Sequence, residues 1–220
     1  MRILVIGTGN MGRAISTRLV AGGHGVTLYG PTRDKADRLA TELRGAATDG
    51  ATVEVADALD RAIESSDVVV LAVWYPVTLQ LAKEHGARLA GRIVVDIANP
   101  LNATYDGLAT EPGTSAAESL RDALPDGARV VKAFNTTFAP TLVAGEVAGQ
   151  PLDVLVAGDD AEAKRAVSEL ARAGGLNAID AGPLERARQL EGLGFLGITL
   201  QEPLGRQFDT AWKLVVPSQG

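Results

Sequence analysis

The sequence predicts a doubly wound, parallel α/β sheet with a small C-terminal α/β appendage, and three observations carry that reading. Short, almost wholly apolar segments recur through the first 135 residues with helical stretches between most of them. A glycine turn joins the first of these segments to the first helix. After Asn135 the rhythm changes.

Ile3 to Ile6, Gly25 to Tyr29, Val68 to Val73, Ile93 to Ile97 and Arg129 to Phe134 read as strands. They are nearly all apolar, which is the pattern of parallel strands covered on both faces. Met11 to Ala21, Asp34 to Arg44, Ala56 to Glu64, Thr78 to Arg88 and Ser115 to Leu124 read as the covering helices. The polar Thr136-Thr137 pair, Pro140 and a loop-like stretch from Gly145 to Pro151 then place a boundary. The expected domains are residues 1–138 and 139–220. In the second, Leu152 to Ala157 and Asn177 to Ile179 read as strands, Ala161 to Ala173 as a helix, and Leu184 to Gln201 as a helix carrying several glycines. A unit of that size extends the sheet and roofs one side of a cleft.

Composition narrows the function. The net charge is −6 and aromatic residues make up 4% of the chain, so neither the electrostatic nor the stacking needs of nucleic-acid binding are met. With no cysteine, disulfides, thiolate catalysis and cysteine metal sites are excluded. His24 and His85 are too far apart to form a two-histidine metal motif, and no metal is expected. His24 reads as structural and His85 as a surface helix residue. No apolar run approaches the roughly 20 residues that cross a bilayer. The chain enters its first strand at once, without a charged leader or apolar signal region, and a cytoplasmic location is expected.

The segment Gly7-Thr8-Gly9-Asn10-Met11-Gly12 is GxGxxG, a weak pattern alone in a glycine-rich chain. Here it follows an apolar strand, opens a helix and leads to a second strand, which is the context of a Rossmann dinucleotide-binding unit. Gly7 serves the tight turn, Gly9 the approach of pyrophosphate to backbone, and Gly12 the packing of helix on strand. The second strand ends Tyr29-Gly30-Pro31-Thr32-Arg33-Asp34-Lys35, with no carboxylate at the strand end to take ribose hydroxyls. Thr32, Arg33 and Lys35 instead offer a hydroxyl, a guanidinium and an ammonium to a 2′-phosphate, favouring NADPH over NADH. The alternative leaves Arg33 and Lys35 solvated at a helix start, with Asp34 as a cap that reaches a ribose.

These segments, with Gly23-His24, Asp67 to Val73, Asp96-Ile97-Ala98-Asn99-Pro100-Leu101, Val130 to Thr136, Val154 to Asp160 and Asp180 to Leu184, make the chain resemble the coenzyme F420-dependent NADP oxidoreductase family over essentially its whole length. By that resemblance Ala72, Val73, Trp74 and Asn99 complete the cofactor site. Asn99, Pro100, Asn135, Thr136 and Thr137 line the site of a small-molecule acceptor, which is the deazaflavin coenzyme F420 as co-substrate. Some members carry a Ser-Arg or Arg-Arg pair where this chain has Gly30-Pro31-Thr32, so Arg33 must reach from a later position. Asn135 stands where some have His, and Thr137 where some have an apolar residue. Trp74-Tyr75 also reads as a hydrophobic lid or helix cap, and Asn99-Pro100 as a tight turn.

Hydride exchange between two cofactors needs proximity and exclusion of water, not a side-chain nucleophile. The candidate catalytic residue is Lys132, which would serve as an acid if burial depressed its pKa. Otherwise it is a strand-end lysine reaching solvent. Asp96 reads as a backbone-bonding residue rather than a base. Three functions stay open: an oxidoreductase using NADP(H) and F420, an NADPH-dependent reductase of a flavin, quinone, metal chelate, imine or carbonyl compound, and a non-catalytic NADPH sensor. Leu190, Leu193, Phe195, Leu196, Ile198 and Leu200 spread over more than one face of the last helix, where Gly194 and Gly197 permit close approach, and a homodimer through that helix is expected.

Overall fold

A computed structural model describes residues 1–47 and 50–217, so residues 218–220 of the expected second domain lie outside the described residues. In chain order the elements are β1 (Ile3–Ile6), α1 (Asn10–Ala21), β2 (Val26–Tyr29), α2 (Arg33–Gly45), β3 (Val53–Val55), α3 (Leu59–Glu64), β4 (Val68–Leu71), α4 (Tyr75–Leu89) and β5 (Ile93–Asp96). They continue with α5 (Ala116–Ala123), β6 (Arg129–Lys132), α6 (Ala139–Ala144), β7 (Glu146–Val147), β8 (Gln150–Pro151), β9 (Asp153–Gly158), α7 (Ala161–Ala173), β10 (Asn177–Gly182) and α8 (Ala187–Thr199).

Among the described residues the main sheet has eight strands in the order β10-β9-β6-β5-β4-β1-β2-β3. From β3 to β6 every pairing is parallel. This is the doubly wound order, with the direction of winding reversing between β1 and β4, where such sheets bind ligands. Alternate residues serve opposite faces. Ile3, Val5, Val68 and Val70 join one core with α1, α2 and α7, while Leu4, Ile6, Val69 and Leu71 join the other with α3, α4 and α5.

Residues past 138 add β9 and β10 to that same sheet. β9 runs antiparallel to β6, with Lys132 opposite Ala157, and β10 runs parallel to β9. The stretch from Gly145 to Pro151, which reads as a loop, forms the β7–β8 hairpin. Its two central residues, Ala148 and Gly149, both have positive φ, as a two-residue hairpin turn requires. Pro140, which reads as a breaker, sits in the first turn of α6, where its missing N–H costs nothing. The three-residue edge strand β3 is too short to show a pattern.

Three helices begin on side-chain caps: Thr32 for α2, Ser115 for α5 and Asp160 for α7. The last helix is preceded by a 3₁₀ turn at Leu184–Arg186. The chain from Gln201 onward is irregular and tied back to the body. Gln201 bonds Thr210 at 2.8 Å and accepts from the Phe208 amide at 3.0 Å, and Phe138 meets Phe208 edge to face with centroids 5.2 Å apart. Buried Asp153 holds Lys213 at 2.5 Å and the Leu214 amide at 2.7 Å. Burial raises the Asp153 pKa, but Lys213, the Leu214 amide and Asn177 outweigh it and hold the carboxyl below its ordinary value. This tether therefore contributes above the usual carboxylate range and is lost as pH falls through the lowered folded value.

Among the described residues no helix is long and apolar enough to cross a membrane, and no group of three His, Asp or Glu side chains is placed to hold a metal.

Candidate active site

The register of the parallel strands fixes the site. Ile6 pairs with Tyr29 and Leu71, Leu71 with Asp96, and Asp96 with Lys132, so five strands end side by side. The segments that follow them, Gly7 to Gly12, Gly30 to Lys35, Ala72 to Trp74, Ile97 to Pro100 and Ala133 to Thr137, therefore lie along one edge.

At the centre of that edge the glycine turn is packed against its neighbours. Gly7 has φ +114°, and a methyl group built on it would lie 2.2 Å from the Ala72 carbonyl oxygen. One built on Gly12 would lie 1.9 Å from the Gly7 carbonyl oxygen. Gly9 has nothing within 4 Å in that direction and is exposed. Gly7 and Gly12 thus close the turn onto β4 and α1, while Gly9 keeps its outer face open. Gly9 caps α1 without a side-chain bond, and no acidic residue stands in the first turn. The first amides of a helix have no intrahelical partners, so those of Asn10, Met11 and Gly12 meet anything that approaches over Gly9. Thr8 leans toward the second strand, where a methyl on Gly30 would lie 2.7 Å from its Oγ1.

Beyond Gly30 is a cavity of about 230 Å³ walled by Tyr29, Gly30, Thr32, Arg33, Ala36 and Asp57 among others. The Thr32 hydroxyl accepts from the Lys35 amide at 3.4 Å and caps α2, while Lys35 itself is exposed. Arg33 Nε bonds Asp37 at 2.9 Å, and its Nη1 bonds Asp57. Sequence reading misses both carboxylates: Asp37 follows from helical i, i+4 spacing, but Asp57 reaches the cavity only through the pairing of β2 with β3. Trp74 is 66% exposed at the start of α4, beside half-buried Ala72 and Val73.

On the other side of the glycine turn the Asn99 and Asn135 segments are bonded together. Asn99 Nδ2 donates to the Asn135 carbonyl at 2.8 Å; Asn135 Nδ2 donates to Asn99 Oδ1 and to the Leu190 carbonyl, each at 2.9 Å. Asn135 Oδ1 is buried with no hydrogen-bond partner, a costly state for a polar atom that a ligand donor would relieve. Buried Phe134 holds φ +63°, strained backbone for an aromatic residue, and turns the chain sharply after β6. Pro100, Thr136 and Thr137 are buried, and the Thr137 hydroxyl donates to the Phe134 carbonyl at 2.7 Å. The same edge continues into an apolar cavity of about 140 Å³ between Phe138, Gly197, Leu200, Leu204 and Trp212.

Gly194 and Gly197 are buried within the chain. A methyl on Gly194 would lie 2.5 Å from Asn99 Oδ1, and one on Gly197 would lie 3.0 Å from the Trp212 indole nitrogen. The close approach these glycines permit is to Asn99 and Trp212, not to a second helix. Leu196 is exposed, and Leu193, Phe195, Ile198 and Leu200 are half-buried.

Lys132 neither reaches solvent nor has a depressed pKa. Its side chain is fully buried and its ammonium bonds Asp96 and Glu191, each at 2.8 Å, and the Ala98 carbonyl. Burial alone would lower its pKa, but the two carboxylates override that and the net shift is upward. Asp96 also accepts from the Ala98 amide at 3.1 Å, and Glu191 from the Ala116 amide at 2.9 Å. Desolvation pushes the Glu191 pKa up. The cluster lies directly beneath the Asn99 and Asn135 turns and ties α8 to the sheet. Its one legible signal is Glu191 itself, a lone charge in the apolar run from Leu190 to Leu200.

The chain is similar to several known proteins. A family model described as NADP oxidoreductase coenzyme F420-dependent matches residues 2–100. The F420-dependent NADP reductase of Methanocaldococcus jannaschii is 32% identical over 207 residues, covering 88% of this chain and 89% of that protein. Metalloreductase STEAP3 of Rattus norvegicus is 32% identical over 195 residues, covering 87% of this chain, which spans only 36% of that protein's length. A crystal structure from Arthrobacter sp. FB24, described as of an F420-dependent NADP-reductase, superposes with a TM-score of 0.83 at 30% identity over 98% of this chain and all of that one.

Proposed function

The chain belongs to the coenzyme F420-dependent NADP oxidoreductase family, and we propose that it transfers a hydride between NADP(H) and the deazaflavin coenzyme F420 along the edge where β1, β2, β4, β5 and β6 end. The observation that carries this reading is the alignment of those ends. It sets the open face of Gly9 and the amides of α1 on one side of Ala72 to Trp74, and the Asn99–Asn135 pair on the other.

NADP(H), when bound, supplies or takes up the hydride. The amides of Asn10, Met11 and Gly12 would hold its pyrophosphate, and Thr32, Arg33 and Lys35 would surround its 2′-phosphate. Ala72, Val73, Trp74 and Asn99 flank the nicotinamide side. Asn99, Pro100, Asn135, Thr136 and Thr137 would form the acceptor wall, where buried Asn135 Oδ1 would accept a hydrogen bond from the acceptor. Lys132 is a positioning residue, because its protons are committed to two carboxylates and a carbonyl. The proton that accompanies the hydride is exchanged with solvent. Apolar side chains left exposed on α8 and the following segment, Leu196, Leu204 and Phe208, support a homodimer through this region. We place the protein in the cytoplasm, without nucleic-acid or membrane partners.

A second reading, favoured by similarity to a metalloreductase, has a flavin or metal chelate as acceptor on the same edge; a quinone, imine or carbonyl compound would serve there as well. Following NADPH absorbance with F420, FMN, FAD and a ferric chelate separates the two: F420 is expected to be turned over fastest. Turnover of only the flavins or the chelate would establish the second reading, and tight NADPH binding without turnover would make the protein a sensor.

Arg33→Ala is expected to weaken NADPH about tenfold, the lower end for a lost hydrogen bond to a charged group. NADH should change much less. Equal losses in a fluorescence titration would show that Arg33 does not read the 2′-phosphate.

A further inference from the structure

The carboxylate missing from the end of β2 is delivered by β3. Asp57 follows that strand by two residues, its side chain is 88% exposed, and it bonds Arg33 Nη1 at the wall of the cavity. Asp37, one turn along α2, holds Nε of the same guanidinium at 2.9 Å. We infer that Asp57 is a specificity-determining residue, which competes with the ribose 2′-phosphate for Arg33 and so sets the ratio in which the protein takes NADPH and NADH. This rests on the reading that NADP(H) binds along the edge at α1.

Asp57 and Asp37 differ in what they can do. Asp37 sits four residues from Arg33 on the same helix, moves with it and orients the guanidinium. Asp57 comes from another strand and stands in the cavity wall itself. A 2′-phosphate entering there either displaces Asp57 from Nη1 or takes the remaining Nη2 donors and shares one cation with a second anion a few ångströms away. Either outcome penalises the phosphorylated ribose. A 2′-hydroxyl bears no such cost, because it can donate to the Asp57 carboxylate as it would to an acidic residue at the end of β2. The Arg33–Asp57 pair is exposed, and pairs of that kind add little to folding, so variants at Asp57 should fold.

The test uses two fragments, 2′,5′-ADP and 5′-AMP, with NADPH and NADH alongside, titrated calorimetrically against the full chain. Asp57→Asn is expected to raise the affinity for 2′,5′-ADP over 5′-AMP, and for NADPH over NADH, by about fivefold, the size of one unit-charge interaction at 4 Å in water. The gain should shrink as salt is raised from 50 to 500 mM, since both partners are exposed (these concentrations being about 14 and 4 Å in screening length). An unchanged or lowered ratio in Asp57→Asn, together with loss of 2′,5′-ADP in Arg33→Ala, overturns the role of Asp57 and leaves the nucleotide reading standing. If the wild type itself binds neither fragment nor either dinucleotide, the nucleotide reading falls and the inference with it.

Discussion

Lys132→Met is expected to lower folding stability by about 3–5 kcal/mol, the range for breaking a buried ion pair by removing one partner. The variant leaves Asp96 and Glu191 facing each other without their shared cation, both within the sheet and α8 interface. In a chain of this size that corresponds to a fall of roughly 6–20 °C in Tm. Adding Glu191→Gln should recover part of the loss, since one orphaned charge is then gone, and a double-mutant cycle measures the coupling. At a temperature where the variant is folded, turnover is expected to fall no more than about tenfold, because the ammonium is committed to Asp96, Glu191 and the Ala98 carbonyl. A loss of about 10³-fold with the fold and NADPH affinity intact would instead be of the size of general acid catalysis and would make Lys132 the acid of a carbonyl or imine reductase.

The second large effect separates packing from binding within one turn. Gly12→Ala places its methyl against the Gly7 backbone, which no rotamer change can relieve, so α1 must tilt from the end of β1. Overpacking of this kind costs about 1–3 kcal/mol, and the misplaced amides should weaken NADPH as well. Gly9→Ala is the contrasting variant. Its φ of −79° suits alanine and its methyl meets nothing within 4 Å, so the unfavourable N-cap alanine and the reduced freedom of the unfolded chain should leave stability within about 1 kcal/mol of wild type. The methyl nonetheless stands on the open face over the α1 amides, and NADPH affinity should drop about 10- to 100-fold, the scale of hydrogen bonds to a charged group. Wild-type NADPH affinity in Gly9→Ala would mean that the pyrophosphate lies elsewhere.

What the sequence revealed and concealed divides along physical lines. The parallel strands were legible because burial on both faces makes them continuous apolar runs, and the glycine turn because its strand and helix neighbours are local. Pro140 misleads because the same residue stops one helix and starts another, and only the following turn decides which. Asp57 stayed hidden because strand pairing, not spacing, carries it to Arg33. Lys132 poses the same difficulty in sharper form: a lysine at a strand end reads as a solvent residue or as a catalyst, and what draws it out of solvent includes Glu191, 59 residues away. Gly194 and Gly197 invite an intermolecular explanation, since nothing local announces that Asn99 and Trp212 fold back against them.

That separation also has a timetable. Translation at about 5–20 residues per second leaves some 3–12 seconds between the synthesis of Lys132 and that of Glu191. During that interval β6 carries an ammonium group whose second counter-charge does not yet exist, and burying it with only Asp96 and the Ala98 carbonyl leaves a donor unmatched. Full pairing of that buried ammonium is therefore expected only once the segment that becomes α8 has been made.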